Sequence, residues 1–258
     1  MTDRTTVHTS ATSIAPGRAL PGPGTIAKRA ALGAMAIIAV LSALGWTGNL
    51  LLFDGAAADQ ETRFLRWVAD NRVGALDFAA TVASALSDTR TVIGVLVGSV
   101  TMLIAAGYRH QAAAVFLAVA VKFSTFLAVG QIVGRARPEV EPLGAVPSTP
   151  SFPSGHVAAA LVLHDALVLA ARSIDRRRTP RSIWVVPVVA AFVVVAARLY
   201  EGVHFPTDVV AGLAVGAGAL CVAGIATGLL VVRDGRFHVV LTDATWPDRT
   251  TTRIDTEA

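Results

Sequence analysis

Two histidines and an aspartate in this sequence have the residue types and the spacing that phosphoryl transfer requires. Asp208 follows His204 by four residues, at the predicted start of an apolar helix. From that position the carboxylate can accept one ring N–H of the histidine, which leaves the other ring nitrogen free to attack phosphorus. His156 ends a Pro-Ser-Gly-His turn and can protonate the leaving oxygen as a general acid. We therefore predict His204 as the nucleophile, Asp208 as its support and His156 as the acid.

Groups that can hold an anion lie near these three residues in the sequence. Arg137 and Arg198 carry planar, permanently charged guanidinium groups that suit phosphate oxygens. Ser154 and the amides near Gly155 stand at a predicted helix start, where unpaired N–H groups and the helix dipole favour an anion. Glu201 is expected to be a solvated loop charge. No cluster of carboxylates or histidines has the spacing of a metal site, so we predict neither a metal nor another cofactor.

The composition indicates a membrane protein, so the lipid bilayer is the first partner that the sequence predicts. Of the 258 residues, 53% are hydrophobic and only 16% are charged, against about 25% in a typical soluble domain. The mean hydropathy is +0.60. Basic residues lie between apolar runs rather than in a stripe beside aromatic residues, which argues against nucleic acid as a partner.

Six apolar segments of the chain predict an all-α fold, a six-transmembrane-helix bundle. The predicted spans cover about residues 30–53, 90–107, 111–133, 153–171, 183–199 and 207–232. The first external loop, which follows the first span, is predicted to carry short interfacial helices.

Polar segments flank the membrane domain, which we predict to run over residues 29–232. Residues 1–28 are rich in Thr, Ser, Pro and Gly and predict a disordered cytoplasmic tail, and residues 233–258 predict a C-terminal cytoplasmic tail. A faint cleavage-site pattern at residues 55–58 leaves a signal peptide as the alternative interpretation of the first apolar run.

The placement of arginine predicts the orientation of the bundle. The loop from Arg172 to Arg181 carries five arginines and lies on the same side as both tails, a side that the positive-inside rule makes cytoplasmic. Arg63, Arg66 and Arg72 fall on the other side and weigh against this assignment. The loops that carry the candidate site then face the extracytoplasmic side of the cell membrane.

The motifs resemble those of the type 2 phosphatidic acid phosphatase superfamily, which includes lipid phosphate phosphatases and haloperoxidase-like proteins. That superfamily carries the motifs Lys-x6-Arg-Pro, Pro-Ser-Gly-His and Ser-Arg-x5-His-x3-Asp. The second motif is intact here at residues 153–156, and the first ends correctly at residues 137–138. The third motif spans residues 197–208, with alanine in place of its serine. The resemblance covers about residues 30–232.

The resemblance implies an integral membrane, metal-independent phosphatase. It implies a phosphohistidine at His204, with Asp208 as its support and His156 as the acid. The implied substrate is a membrane lipid phosphate or pyrophosphate, namely a polyprenyl pyrophosphate, phosphatidic acid or phosphatidylglycerol phosphate.

One departure from the superfamily pattern removes a positive charge. The lysine of the first motif should stand where this chain has Gly130, so we expect Arg135 to compensate as a phosphate ligand. The same gap leaves open a catalytically impaired lipid-phosphate binding or transport protein of the same fold. A vanadate-dependent haloperoxidase is a further alternative, disfavoured because those proteins are soluble and keep the lysine. The oligomeric state is left open.

A lysine lies in the middle of the third predicted span, where a charge costs about 2.5–3.5 kcal/mol. Lys122 lies eight residues below Gly130, or about 12 Å along a helix, so we predict that its side chain is too short to replace the missing lysine. Asp165 is predicted to lie at a similar depth on the neighbouring antiparallel span. We therefore predict a Lys122–Asp165 pair inside the membrane; the alternative is that either group faces a polar cavity or is neutral.

Overall fold

The computed structural model describes residues 21–174, 179–233 and 236–239, and most of this part of the chain is helical. Eight α-helices follow one another: α1 Pro23–Leu51, α2 Ala56–Asp70, α3 Gly74–Ala85, α4 Thr89–Ala105, α5 Arg109–Val133, α6 Gly155–Ile174, α7 Val185–Tyr200 and α8 Pro206–Thr227. A short 3-10 helix, Arg181–Trp184, precedes α7. Two antiparallel strands follow α8, namely β1 Leu230–Arg233 and β2 Arg236–Val239. The predicted helical membrane fold is confirmed, and a small hairpin is added to it.

Four helical segments in the described part of the chain are long and apolar enough to cross a membrane. They are Pro23–Leu51, Arg109–Val133, Ser182–Tyr200 and Pro206–Thr227. Helices α3 and α4 meet at a bend of 46° and give a fifth span if they are taken together, whereas the apolar part of α6, Gly155–Leu169, is shorter. The count of six spans therefore stays a prediction.

The ends of the bundle differ from the predicted boundaries for local reasons. Helix α1 begins at Pro23, inside the predicted N-terminal tail, because proline is well suited to the first turn of a helix. Helix α8 ends at Thr227 instead of near residue 232, because Gly228 adopts φ 78° and caps it in the left-handed conformation. The predicted tails otherwise fall mostly on residues 1–20 and 240–258, which lie outside the described residues.

Large apolar side chains cover the outside of the bundle. Trp46 of α1 is 63% exposed and Phe192 of α7 is 60% exposed, and Leu, Val and Ile side chains surround them on the same surfaces. A continuous apolar surface of this kind is rare on soluble monomers and suits contact with lipid.

Helix α5 is the centre of the bundle and packs against α1, α4, α6 and α8. Glycines of α8 let it approach α6 closely: a Cβ at Gly212 would lie 2.5 Å from the Ser154 carbonyl oxygen, and one at Gly216 would lie 3.1 Å from that of Ala158. The Ser154 N–H also donates to the carbonyl oxygen of Asp208 over 2.9 Å. The starts of α6 and α8, which carry the second and third motifs, are thus held together.

The loops that carry the candidate site meet at the end of the bundle where α2 and α3 lie. Arg72, between these two helices, donates to the carbonyl oxygens of Tyr200 and Glu141 over 3.0 and 2.9 Å. The Tyr200 hydroxyl donates to Asp77 Oδ1 over 2.7 Å. These contacts attach the short helices of the first loop to α7 and to the loop before α6.

Candidate active site

A cavity of about 240 Å³ lies where these loops meet, and it gathers several of the predicted site residues. His156, Gly155, Arg137 and His204 line it, together with Lys122 from the middle of α5. The cavity is also lined by residues 147–149 of the proline-rich loop. Ser87, which lies before α4, and Thr89, the first residue of α4, line it as well. Residues from five separate segments therefore share one cavity.

His204 lies in the loop between α7 and α8, with its side chain 2% exposed. Its Nδ1 is 3.7 Å from Asp208 Oδ2, and its Nε2 is 3.5 Å from Arg137 Nη1. Because a guanidinium can only donate, Nε2 must be the unprotonated nitrogen, and the ring proton then lies on Nδ1, towards Asp208. The nitrogen that faces the cavity side therefore carries the lone pair that a nucleophile needs.

The Asp208 carboxylate is fully buried and held by several donors. Its Oδ2 accepts the Ser151 hydroxyl over 2.5 Å and the Phe205 N–H over 2.9 Å, and its Oδ1 accepts Arg135 Nη1 over 2.7 Å. The bond from Phe205 caps the N-terminus of α8, so the start of the helix itself fixes the carboxylate. Asp208 is thereby fixed on the Nδ1 side of His204.

Arg135 does not lie in the cavity, and the expectation that it compensates as a phosphate ligand does not fit its contacts. Its second amino group donates to Glu61 Oε2 over 2.7 Å, and the first is taken by Asp208. The rings of Phe53 and Phe205 lie 3.7 and 4.0 Å from the guanidinium carbon. Two carboxylates and two aromatic rings satisfy this cation, so it supports Asp208 from behind.

Arg137 reaches the cavity from the loop after α5. Its Nε donates to the carbonyl oxygens of Pro147 and Thr149, each over 3.1 Å, and its Nη1 donates to that of Val203 over 2.7 Å. Burial, and after it the charge of Arg198, lowers the pKa of Arg137 to about 10, so the guanidinium is still cationic at neutral pH.

Arg198, near the end of α7, is paired on one side and free on the other. Its Nη1 donates to Glu201 Oε2 over 2.6 Å. Its Nε and Nη2 are buried and have no hydrogen-bond partner among the described residues. Glu201 is therefore a buried ion-pair partner and not the solvated loop charge that was expected, and burial raises the pKa of its carboxyl.

The Pro-Ser-Gly-His turn supplies a helix start beside the histidine. Helix α6 begins at Gly155, and the Ser154 hydroxyl is buried with no partner in the described part of the chain. The Phe126 ring lies against the turn, because a Cβ at Gly155 would come within 2.9 Å of it. The first amides of α6 thus open at the cavity, where they can hold an anion.

His156 has a partner that sequence reasoning missed. Its Nε2 lies 2.9 Å from Oδ1 of Asp88, the residue just before α4. Since a carboxylate accepts, Nε2 carries a proton, and the Asp88 carboxylate stabilises the cationic form of the ring that a general acid needs. The two residues are 68 positions apart, so motif spacing gave no signal beyond an aspartate at the external end of a predicted span.

The predicted Lys122–Asp165 pair is wrong: no ion pair joins these two residues, both of which the structure describes. Lys122 lines the cavity with His156 and His204. Asp165 lines a separate apolar cavity with Ala114 and Leu169. Equal distance from the helix ends did not bring the two groups together, because each side chain turns towards a different cavity.

Replacing Asp88 by asparagine should slow the hydrolysis of a lipid monophosphate about ten-fold, because a neutral amide no longer stabilises a protonated His156. A p-nitrophenolate group leaves without a proton, so the rate on p-nitrophenyl phosphate should change less than about two-fold. Initial rates of phosphate release on both substrates test this, with Asp59→Asn on exposed α2 as the matched control. Equal losses on both substrates would show that Asp88 acts on folding and not on His156.

Comparison with known proteins agrees with this architecture. A helical membrane bundle that gathers two histidines, an arginine and a helix start around one cavity has the fold of a PAP2-type membrane lipid phosphatase. The model of the PAP2 superfamily matches residues 110–229 of the chain. The resemblance stated from the motifs is therefore confirmed.

The chain is similar to solved structures at low sequence identity. One is a transmembrane PAP2 type phosphatidylglycerolphosphate phosphatase from Bacillus subtilis, with a TM-score of 0.61 and 19% identity over 76% of this chain and 94% of that one. Another is LpxE from Aquifex aeolicus, with a TM-score of 0.45 and 21% identity over 64% of this chain and 92% of that one. No curated protein matches the chain.

Proposed function

We propose that this protein is a membrane phosphatase that hydrolyses a lipid phosphate or pyrophosphate through a phosphohistidine at His204. The observation that carries the proposal is the environment of this ring. Arg137 donates towards Nε2 and Asp208 lies on the Nδ1 side, so the ring lone pair lies on Nε2 and is available for attack once the phosphate takes over the Arg137 contact. His156 lines the same cavity with a proton on its Nε2.

The first chemical step forms the phosphoenzyme. Nε2 of His204 attacks phosphorus, the bond from phosphorus to the lipid oxygen breaks, and His156 transfers its proton to that leaving oxygen. The His204 ring becomes cationic, and the Asp208 carboxylate stabilises it through the Nδ1–H. The separation of 3.7 Å between Nδ1 and Oδ2 shortens to a hydrogen bond as the charge develops.

The second step releases inorganic phosphate. Neutral His156 takes a proton from a water molecule, whose oxygen attacks phosphorus as the bond to Nε2 breaks. Arg137, the free edge of Arg198 and the first amides of α6 stabilise the charge on the phosphoryl oxygens in both steps. His204 returns to its neutral form with the proton on Nδ1.

The proposed substrate is a lipid because the cavity lies at one end of an apolar bundle. A bilayer around this bundle would bring headgroups to the level of the loops that carry the site. We place the protein in the cell membrane with this end on the extracytoplasmic side, because α6 begins at the site and the arginine-rich sequence of residues 172–181 begins at the other end of this helix. That side favours a polyprenyl pyrophosphate over phosphatidic acid and phosphatidylglycerol phosphate.

The experiment that tests the function is phosphate release by the purified full-length protein from a panel of those three lipids in detergent micelles. We expect turnover on at least one of them. Saturable lipid binding without any release would instead support the alternative of a catalytically impaired binding or transport protein.

The rate of phosphate release should stay unchanged as the pH is lowered from neutral, and it should begin to fall only below pH 6.5. Burial holds the pKa of His204 below its ordinary value of 6.5, because desolvation of the cationic ring outweighs the effect of the nearby Asp208 carboxylate. The nucleophile must be neutral, so activity falls only as the pH drops through that lowered pKa. A profile of kcat/KM between pH 4.5 and 8.5 tests this, and an acid limb centred above pH 7 would contradict it.

A further inference from the structure

Lys122 is a buried cation without an anionic partner. The residue is 3% exposed, and no carboxylate in the described part of the chain lies within ion-pair distance of it. Its ammonium lies 4.0 Å from the centre of the Phe123 ring and 5.4 Å from that of Phe126. Contacts of this kind stabilise a lysine only in part, typically by about 0.5–2 kcal/mol, so the charge still lacks a counter-charge.

The ammonium belongs to the wall of the catalytic cavity. Lys122 lines the cavity that also contains His156, His204 and Arg137. Among the described lining residues there is no Asp or Glu, and the lysine and the arginine are the basic side chains besides the two histidines. A cavity lined by two cations and no carboxylate favours an anion with more than one negative charge.

The depth of the site explains how a residue in the middle of α5 reaches it. The Phe126 ring lies between the Lys122 ammonium and Gly155, the first residue of α6. Gly155, the first residue of α6, thus lies beside Phe126, which is one turn further into α5 than Gly130. At Gly130 itself a Cβ would face the Phe152 carbonyl oxygen at 3.6 Å, outside the cavity wall.

We propose that Lys122 is a phosphate ligand of this cavity and supplies, from two turns deeper on α5, the positive charge that the first motif lacks at Gly130. The ammonium binds phosphoryl oxygens from the interior of the bundle, and Arg137 binds them from the loop side. The inference rests on the proposed function for its substrate, a phosphate or pyrophosphate headgroup. Its test requires only a phosphate-like anion that binds in the cavity, and not the lipid substrate.

The test compares Lys122→Met with the wild-type protein in binding of orthovanadate, a phosphate mimic, measured by calorimetry and by inhibition of phosphate release. Lys28→Met, which removes the chain's other lysine on exposed α1, is the matched control. We expect vanadate to bind Lys122→Met at least about ten-fold more weakly, because a charge-assisted contact is lost. Lys28→Met should bind vanadate as the wild type does.

The thermal midpoint separates a ligand from a structural lysine. Removing an unpaired buried charge should leave the Tm of Lys122→Met unchanged or higher. Unchanged vanadate affinity in Lys122→Met would overturn the inference, whatever its Tm. If its Tm falls, Lys122→Arg decides: affinity within about three-fold of the wild type supports a charge contact, and a loss as large as that of Lys122→Met overturns it.

Failure of the inference and failure of the proposed function are distinguishable. Equal vanadate affinity in Lys122→Met and in a wild-type protein that releases phosphate overturns only the role of Lys122. If the wild-type protein releases no phosphate from any of the lipids, the proposed phosphatase function is overturned. Weaker vanadate binding by Lys122→Met in that case still supports the phosphate ligand.

Discussion

Replacing His204 by alanine should lower phosphate release from a lipid phosphate by more than about 10³-fold. Of the two histidines that line the cavity, His204 is the one whose ring nitrogen contacts Arg137, and His156 contacts Asp88 instead. Without His204 only direct attack by water is left. Binding of vanadate should persist, because Arg137 and the start of α6 still hold the anion.

The control for this variant is His164→Ala. His164 lies on α6, where its Nδ1 contacts the Ala160 carbonyl oxygen over 2.7 Å, and it does not line the catalytic cavity. Its removal should change the rate less than about three-fold. Quenching in alkaline detergent after mixing with labelled substrate, which preserves the acid-labile N–P bond, should trap a phosphoenzyme in the wild type and none in His204→Ala. Wild-type rates in His204→Ala would rule out the nucleophile.

Residues that stand in short motifs could be placed from the sequence. His204, Asp208 and the turn ending at His156 lie at helix starts, and a helix start puts its first side chains at a known end of the bundle. Close packing of α6 on α8 then brings the motifs together. The order of apolar segments and polar loops was thus enough to predict that these residues share one end.

The partners of those residues could not be placed from the sequence. Glu61 meets Arg135 across 74 positions, and Asp88 meets His156 across 68. Such pairs depend on how α2 and α4 pack, and a lone acidic residue before a span has no spacing to mark it. Arg135 was misplaced for the same reason: its charge is visible in the sequence, but the two rings and two carboxylates that enclose it are not.

The spacing of residues in the sequence also did not predict how deep in the bundle the candidate phosphate site lies. The distance from Lys122 to Gly130 along α5 was predicted correctly as two turns, but the phosphate site was assumed to lie level with Gly130. Residues 147–149 of the proline-rich loop instead line the same cavity as Lys122. Gly155, the first residue of α6, lies beside Phe126, one turn further into α5 than Gly130. The helix period gives the distance between two residues along the axis of one helix. It does not predict which residues of that helix a neighbouring loop contacts.

The contacts behind His204 form a chain from the surface helix α2 to the nucleophile. Glu61 accepts from Arg135 and from the Thr207 N–H, Arg135 donates to Asp208, and Asp208 faces His204. Glu61 and Asp208 neutralise the same guanidinium, yet only Asp208 lies beside the catalytic ring. Neutralising each carboxylate in turn therefore separates the stability of the site from its chemistry.

Asp208→Asn should lower phosphate release by about 10³-fold or more, because an amide does not stabilise the cationic phosphohistidine and favours the wrong ring tautomer. It should also lower the free energy of unfolding by about 3–5 kcal/mol, because it breaks a buried pair and leaves Arg135 with one carboxylate. Glu61→Gln removes the other carboxylate, whose side chain is 14% exposed, so its loss of stability should be smaller. Its rate should stay within about ten-fold of the wild type, since Asp208 keeps its charge.

Rates at saturating substrate and thermal midpoints of both variants, measured in the same detergent, test this separation. The expected pattern is a loss of stability in both variants and a collapse of kcat in Asp208→Asn alone. A similar fall of kcat in both would mean that the whole chain from Glu61 orients the ring, so that Asp208 has no special electrostatic role. A near-normal kcat in Asp208→Asn would show that Asp208 has no role in the mechanism. No second carboxylate among the described residues lies beside His204 Nδ1, so none could take over its role.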